Sequence, residues 1–139
     1  MTVKFSKDEE ELLRTQDLAR IATLSADGYP HMAAMWFAFD GKYVYIATDS
    51  TSKKISNIKR DNKVAVLVDN QDWHKPEGIM IQGTSKVLKK GDTGFEKGRT
   101  LIIERFPNEK AYDSGKQRII RVTPKKTAHW KFKPKTTEQ

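Results

Sequence analysis

Residues 20–68 read RIATLSADGYPHMAAMWFAFDGKYVYIATDSTSKKISNIKRDNKVAVLV, and most of the fold prediction rests on these residues. A short β-branched strand is predicted over 18–25, where an Ala-Asp-Gly turn follows. A second strand is predicted over 31–39, and the Asp-Gly pair after it is a strong two-residue hairpin signal leading into a third strand, 42–48. We expect these three strands to form an antiparallel meander.

The second half of the stretch predicts a helix and a further strand. The helix covers about 52–60, with Ile55 and Ile58 on the face that anchors it to the sheet. The strand that follows, 63–68, is nearly continuous in apolar residues, and this favours burial of both of its faces.

The flanking parts of the chain add helices and more strands. Ser6 and Glu9 form a capping box that begins an N-terminal helix, 7–16. A strand over 79–88 has Gly83 in its middle, where a bulge or bend is expected. The remaining predictions are an amphipathic segment at 95–106, a turn of helix at 108–112, and two basic C-terminal strands within 116–133 separated by Pro124.

About seven strands with small helices between them predict a mostly β fold, a closed or nearly closed antiparallel barrel. The 139 residues fit one domain, 1–139, with enough length for one core. The chain has no cysteine and no apolar run of the roughly 20 residues that span a bilayer. Its three histidines are scattered, so no metal site is expected, and an acidic N-terminus unlike a signal peptide favours a cytoplasmic protein without membrane attachment.

The formal net charge of +8 is typical of proteins that bind nucleic acid, an anionic membrane or an anionic small molecule. Between Gly115 and Lys135 there are eight lysines and arginines and no acidic residue. The charges alternate with Ile119, Val122 and Trp130, as in a half-buried strand with a solvated outer face. Nucleic-acid binding is therefore the less favoured interpretation.

The start of the 52–60 helix has the composition of an anion site. Its first turn leaves backbone N–H groups free, Thr48, Ser50 and Ser52 can add hydroxyl donors, and Lys53 and Lys54 can add charge. The alternative is an ordinary capped surface helix with solvated lysines.

The second strand offers room for a flat ligand. Small residues at Ala33 and Ala34 allow close approach to the backbone, and Met32, Met35 and Trp36 beside them are large and polarizable. The alternative is that this strand simply contributes to the core. A turn histidine, His31, stands at its start, where a structural hydrogen bond is favoured over a place near a ligand.

Taken in order, these features carry a resemblance that covers residues 18–68 closely. Their order resembles the FMN-binding split barrel of the pyridoxamine 5′-phosphate oxidase-like proteins. The motifs are a strand, a DG-x-P-H turn, a strand ending in W-F, a DG hairpin, a strand ending in Thr, S-x-K and then N-I-x-R-D. The resemblance implies an antiparallel split β-barrel, bound FMN, and a homodimer with the cofactor at its interface. A small barrel has little room inside, so a large ligand is expected between subunits on independent grounds.

The resemblance also implies the residues that bind the cofactor. The ring lies along the second strand, the phosphate lies at the helix start, and a C-terminal tryptophan approaches the ring edge across the dimer. The implied set is Met32, Ala33, Ala34, Met35, Trp36, Thr48, Ser50, Ser52, Lys53, Lys54 and Trp130.

Two departures from the family narrow the function. Oxidases of the family often have Arg where this chain has Lys53, and the C-terminal Arg/Trp signature of the true oxidases is absent, so oxidation of a pyridoxal vitamer is not expected. The first expectation is an FMN-dependent oxidoreductase acting on a small molecule, with no catalytic residue assigned because the cofactor carries the hydride chemistry. The alternatives are an 8-hydroxy-5-deazaflavin-dependent reductase of the same fold and a non-enzymatic basic module that binds nucleic acid.

Overall fold

The computed structural model describes residues 3–108 and 115–132. Seven antiparallel strands and three small α-helices make up the described part, which confirms the mostly β prediction. The elements are α1 (Lys7–Thr15), β1 (Leu18–Leu24), β2 (Pro30–Trp36), β3 (Ala38–Phe39), β4 (Val44–Asp49), α2 (Lys53–Arg60), β5 (Lys63–Asp69), β6 (Glu77–Leu88), α3 (Phe95–Arg105) and β7 (Gln117–Lys131).

The strands form one sheet in the order β2-β1-β5-β6-β7-β4-β3. Its two edge strands, β2 and β3, are consecutive in the chain and are separated by Phe37 alone. The sheet therefore curls into a half-barrel, and the main apolar core fills the concave side.

The expected three-stranded meander is confirmed in part. β1 pairs with β2, and the Asp40-Gly41 hairpin joins β3 to β4, but β2 ends at Trp36 and β4 pairs along its length with β7 and not with β2. The cause is a break at Phe37, which is fully buried and interrupts the strand expected over 31–39. Arg105 fixes the break by donating from Nη1 to the Phe37 carbonyl at 3.0 Å.

The two C-terminal strands expected on either side of Pro124 are one continuous strand, β7. Its pairing with β6 shifts register between Gln82 and Gly83, and this leaves Lys125 as the extra residue of a β-bulge. Pro124 is accommodated because a bulge removes the need for a ladder N–H. The bend expected at Gly83 is confirmed, and a Cβ there would lie 2.2 Å from the Thr123 carbonyl oxygen.

Burial of β5 on both faces is also wrong, because Val64, Val66 and Val68 are buried while Ala65 and Leu67 are half-exposed. The predicted capping box at the start of α1 is confirmed by reciprocal Ser6 and Glu9 bonds of 3.1 and 2.7 Å.

Of the helical turn expected at 108–112, residues 109–112 lie outside the described residues. Within 3–108 and 115–132, no helix combines the length and apolarity needed to cross a bilayer.

Candidate cofactor site

Helix α2 is fixed to one end of the half-barrel by apolar and polar contacts. Ile55 and Ile58 are buried in the main core, which confirms their anchoring role. Beside them, the buried Asn57 donates from Nδ2 to Thr23 Oγ1 at 3.0 Å. Arg60 donates to Asn57 Oδ1 at 3.3 Å and to the carbonyl of Leu24. The helix is therefore held rigidly against the end of β1.

The N-terminus of α2 presents donors that the helix itself does not use. Ser52 stands at the N-cap without a side-chain capping bond, and its Oγ accepts from Thr48 Oγ1 at 3.2 Å. The preceding loop is ordered, since the backbone N–H of Ser50 donates to the Lys116 carbonyl at 2.8 Å. The free N–H groups of a first helical turn favour an anion.

One negative charge stays near this helix start. Two hydrogen bonds from Thr51, from its backbone N–H and its hydroxyl, lower the pKa of the Asp49 carboxyl. Asp49 is exposed, so water screens its charge.

Lys54 differs sharply from its neighbour Lys53. Lys53 is exposed, whereas Lys54 is only 7% exposed and forms no hydrogen bond or ion pair with any described residue. Burial lowers the pKa of Lys54, and no carboxylate of a described residue forms an ion pair with it. The Lys54 side chain is mostly covered and its ammonium lacks a partner among the described residues, so this position favours a bound anion.

The pairing of β4 with β7 adds a residue that sequence reasoning missed. Arg118 lies directly opposite Thr48, and residues at such positions have Cβ atoms about 4.5–5.5 Å apart. Arg118 Nη1 donates to the Gln117 carbonyl at 3.0 Å, close to its own backbone. Its basic segment was visible in the sequence, but its position beside Thr48 depends on a long-range register.

The second strand shows the expected alternation. Met32, Ala34 and Trp36 are exposed on the outer face, and Ala33 and Met35 are half-buried on the inner face. β2 and β4 do not pair, and an apolar cavity of about 210 Å³ lies between them. Its lining is Leu18, Ala34, Met35, Trp36, Ala47 and Ile102.

One lining residue of this cavity, Ala47, immediately precedes Thr48 on β4, so the cavity begins one residue along the chain from the helix-start donors. Trp36 closes one side, stacked on Phe106 with ring centroids 5.0 Å apart and planes 9° apart. His31, at the start of β2, has a buried Nδ1 without a hydrogen-bond partner among the described residues.

Trp130 lies far from Thr48 along β7. Thr48 pairs with Arg118 near the start of β7, and Trp130 follows twelve residues later, about 40 Å along the strand. Its ring covers Gly78, where a Cβ would lie 2.2 Å from Trp130 Cζ2. Within one chain the structure does not bring Trp130 to α2. Among the described residues, no group of three or more His, Asp or Glu side chains could hold a metal ion.

A curled antiparallel sheet with a basic helix start at one end defines the chain as a split-barrel protein. The family model described as pyridoxamine 5′-phosphate oxidase matches residues 5–131. The chain therefore belongs to the pyridoxamine 5′-phosphate oxidase family.

Two characterised relatives are similar in sequence. Over 133 residues, the chain is 29% identical to a 5a,11a-dehydrotetracycline/5a,11a-dehydrooxytetracycline reductase from Streptomyces rimosus, covering 91% of this chain and 82% of that protein. Over 81 residues it is 37% identical to an F420H(2)-dependent biliverdin reductase from Mycobacterium tuberculosis, covering 55% of this chain and 58% of that protein. Among solved structures, an F420 reductase superposes with a TM-score of 0.73 at 26% identity, covering 89% of this chain and 98% of that one.

Proposed function

We propose that this protein is a reductase that uses F420, an 8-hydroxy-5-deazaflavin coenzyme, to reduce a small organic molecule. The observation that carries the proposal is the buried, unpaired Lys54 at the N-terminus of α2. The coenzyme has a phosphate group, and a phosphate would supply the negative charge that this lysine lacks.

The residues around Lys54 fit a phosphate chemically. The free N–H groups of the first turn of α2 and the hydroxyls of Thr48 and Ser52 would donate to its oxygens. Lys54 on α2 and Arg118 on β7 would balance the negative charge of the phosphate from two different elements. None of these groups needs a change of secondary structure to take part.

The cavity between β2 and β4 fits the ring. Ala34 and Ala47 leave space for a flat body, while Met35 and Trp36 would exclude water from its surroundings. When bound, the coenzyme supplies hydride transfer, and the chain binds, orients and shields it. We assign no acid or base of the protein to the reaction.

FMN is the second candidate. Its phosphate would use the same residues, and the sequence alone ranked it first because FMN is widespread in the fold. F420 is now preferred because two of the proteins similar to this chain carry F420 in their names. Because β7 pairs along its length with β4 and β6, the basic segment has a structural role, and this supports an enzyme over a nucleic-acid-binding module.

A homodimer, and a cytoplasmic location, are parts of the proposal. Exposed apolar side chains on the outer face of the sheet would be covered by a second copy; they are Leu18, Met32, Trp36 and Trp130. A second copy would also be the means of bringing Trp130 near a cofactor, given its distance from α2 in its own chain.

Titration of the purified protein with F420 and with FMN tests the proposal. F420 should bind more tightly than FMN. Lys54→Met should weaken F420 binding by about tenfold or more, because hydrogen bonds to charged groups contribute about 1.5–3 kcal/mol. Lys53→Met is the matched control and should have a smaller effect, since Lys53 is exposed. Failure to bind either cofactor, or equal binding by wild type and Lys54→Met, would contradict the proposal.

A further inference from the structure

One wall of the cavity between β2 and β4 is a side chain that needs support from outside its own strand. Trp36 is the last residue of β2, which is an edge strand, and it is 41% exposed. The strand breaks directly after it, at Phe37. An exposed side chain changes rotamer within nanoseconds unless its neighbours hold it, whereas the wall of a binding site has to keep one orientation. The residues behind Trp36 therefore matter for the cavity.

Phe106 supplies this support from the C-terminal end of α3. Its ring stacks on that of Trp36 with centroids 5.0 Å apart and planes 9° apart, so one face of the indole is covered. Phe106 is the C-cap residue of α3, and its backbone N–H donates to the Ile102 carbonyl at 2.7 Å. Ile102 is buried and lines the same cavity. The last turn of α3 thus contributes both a lining residue and the residue behind the aromatic wall.

Arg105 connects this stack to the core. Its Cζ lies 4.8 Å from the ring centroid of Phe37 and 5.4 Å from that of Phe106, so the guanidinium contacts both rings. It also donates to three backbone carbonyls, those of Leu13, Gln16 and Phe37. A planar guanidinium with several donors can make all of these contacts at once. The stack is therefore joined to a phenylalanine that is fully buried.

We propose that Phe106 and Arg105 are positioning residues for the ring of the bound coenzyme, and that they act through Trp36. They hold the indole in one orientation at the cavity, so that the coenzyme ring contacts a fixed aromatic surface. The phosphate end of the site, at the start of α2, does not depend on them. This role rests on the proposed function, because it concerns the same site, and neither residue belongs to the implied cofactor set.

Fluorescence titration with F420 and with its phosphate-free analogue, 8-hydroxy-5-deazariboflavin, separates positioning of the ring from binding of the phosphate. Phe106→Leu should weaken the binding of both ligands by about fivefold, since an aromatic pair contributes about that factor. Lys54→Met should weaken the binding of F420 and leave that of the analogue nearly unchanged. Phe106→Tyr keeps the stacked ring and should bind both ligands as wild type does.

Phe5→Leu is the matched control. Phe5 packs edge-on against Phe39 with ring centroids 5.2 Å apart and does not line the cavity, so its loss removes an aromatic pair away from the site. It should leave both affinities unchanged. Arg105→Lys keeps the charge but loses the planar fork, and it should weaken both ligands as Phe106→Leu does. If Phe106→Leu fails to fold, the comparison of Arg105→Lys with Phe5→Leu decides the question.

Two measurements on the cofactor-free protein accompany the titration. In near-ultraviolet circular dichroism, the tryptophan bands should lose intensity in Phe106→Leu and be kept in Phe106→Tyr, because only the tyrosine still holds Trp36. Sedimentation velocity shows whether each variant keeps the oligomeric state of wild type.

The role of Phe106 and Arg105 is overturned if Phe106→Leu and Arg105→Lys bind F420 as wild type does, or if the tryptophan bands of Phe106→Leu are unchanged. It is also overturned if Phe5→Leu weakens binding equally, or if the weaker binding accompanies a change of oligomeric state. A wild type that does not bind F420 gives a different result, since this contradicts the proposed function and the positioning role with it.

Discussion

Lys54 is the residue on which the site depends most. Helical spacing places it on the same side of α2 as the buried Asn57 and Ile58, so its partial burial could be anticipated from the sequence. The sequence could not show that its charge lacks a partner among the described residues, because this depends on which distant side chains surround the start of α2. Arg118 was missed for a similar reason, since only the register of β4 with β7 places it opposite Thr48.

Lys54→Met should make the cofactor-free protein more stable at neutral pH, by up to about 1 kcal/mol, because a partly desolvated charge without a partner is removed. The difference should depend on pH. The folded state lowers the pKa of Lys54 below its ordinary value of 10.5, so between the two pKa values the unfolded chain binds more protons. The wild-type free energy of unfolding therefore gains from this group as pH rises toward 10.5, and the advantage of the variant shrinks.

Urea unfolding of both proteins from pH 7 upward measures this effect, and using their difference cancels the titration of other lysines. A wild type that is more stable than Lys54→Met at pH 7 without cofactor would show that Lys54 has a favourable partner within the protein.

Asn57 should stabilise the folded protein by attaching α2 to β1. Asn57→Ala removes the buried bond to Thr23 Oγ1 and one bond from Arg60, so we expect a loss of about 1–3 kcal/mol in the free energy of unfolding. Ser56→Ala, at an exposed position of the same helix, is the control and should change it by less than about 0.5 kcal/mol. Equal effects of the two changes in urea unfolding would refute the role given to Asn57.

At the scale of elements, local signals predicted more than long-range ones did. The turn between β1 and β2, the capping box of α1 and the helix α2 are all confirmed, since each depends on residues close together in the chain. The strand over 31–39 was predicted too long because the break at Phe37 is fixed by Arg105, which is 68 residues away. Pro124 predicted a boundary between two strands, because the sequence does not show the bulge that accommodates it within β7.

Helix α3 offers a test of packing against helix propensity. A Cβ at Gly98 would lie 2.6 Å from Tyr45 Cδ1 and 3.0 Å from Ile119 Cγ2, so Gly98 allows α3 to approach the sheet closely. Gly98→Ala should therefore lower the free energy of unfolding by about 1–3 kcal/mol, although alanine is the better helix former. The control, Thr100→Ala at an exposed position, should raise it slightly. Stabilisation by Gly98→Ala in thermal or urea unfolding would show that the helix has room to move.

At the scale of the whole molecule, the barrel class followed from the number and spacing of strands, but their order did not. Neighbouring hairpins suggest a meander, and nothing local indicates that β4 pairs with a strand about 70 residues later. The apolar outer surface was not predicted either, because it depends on which faces of β1 and β2 the helices leave uncovered.

The proposed dimer gives a prediction at this scale. Trp36→Glu and Leu18→Glu should each shift the protein toward monomer, because a charge would be buried without a partner between subunits. Sedimentation velocity at several concentrations measures the shift, and Trp73→Glu, at a highly exposed loop position, is the control. A monomeric wild type, or an unchanged dimer in both outer-face variants, would contradict the dimer proposed here.

The place of β7 in the sheet has a consequence for synthesis of the chain. Among the described strands, β7 alone connects the β3–β4 hairpin to the rest of the sheet. β1, β2, β5 and β6 can pair as they leave the ribosome, but β4 keeps an open edge until the last strand emerges. During that interval the nascent chain exposes an unpaired edge next to unburied core residues, the condition that favours misassembly and chaperone binding.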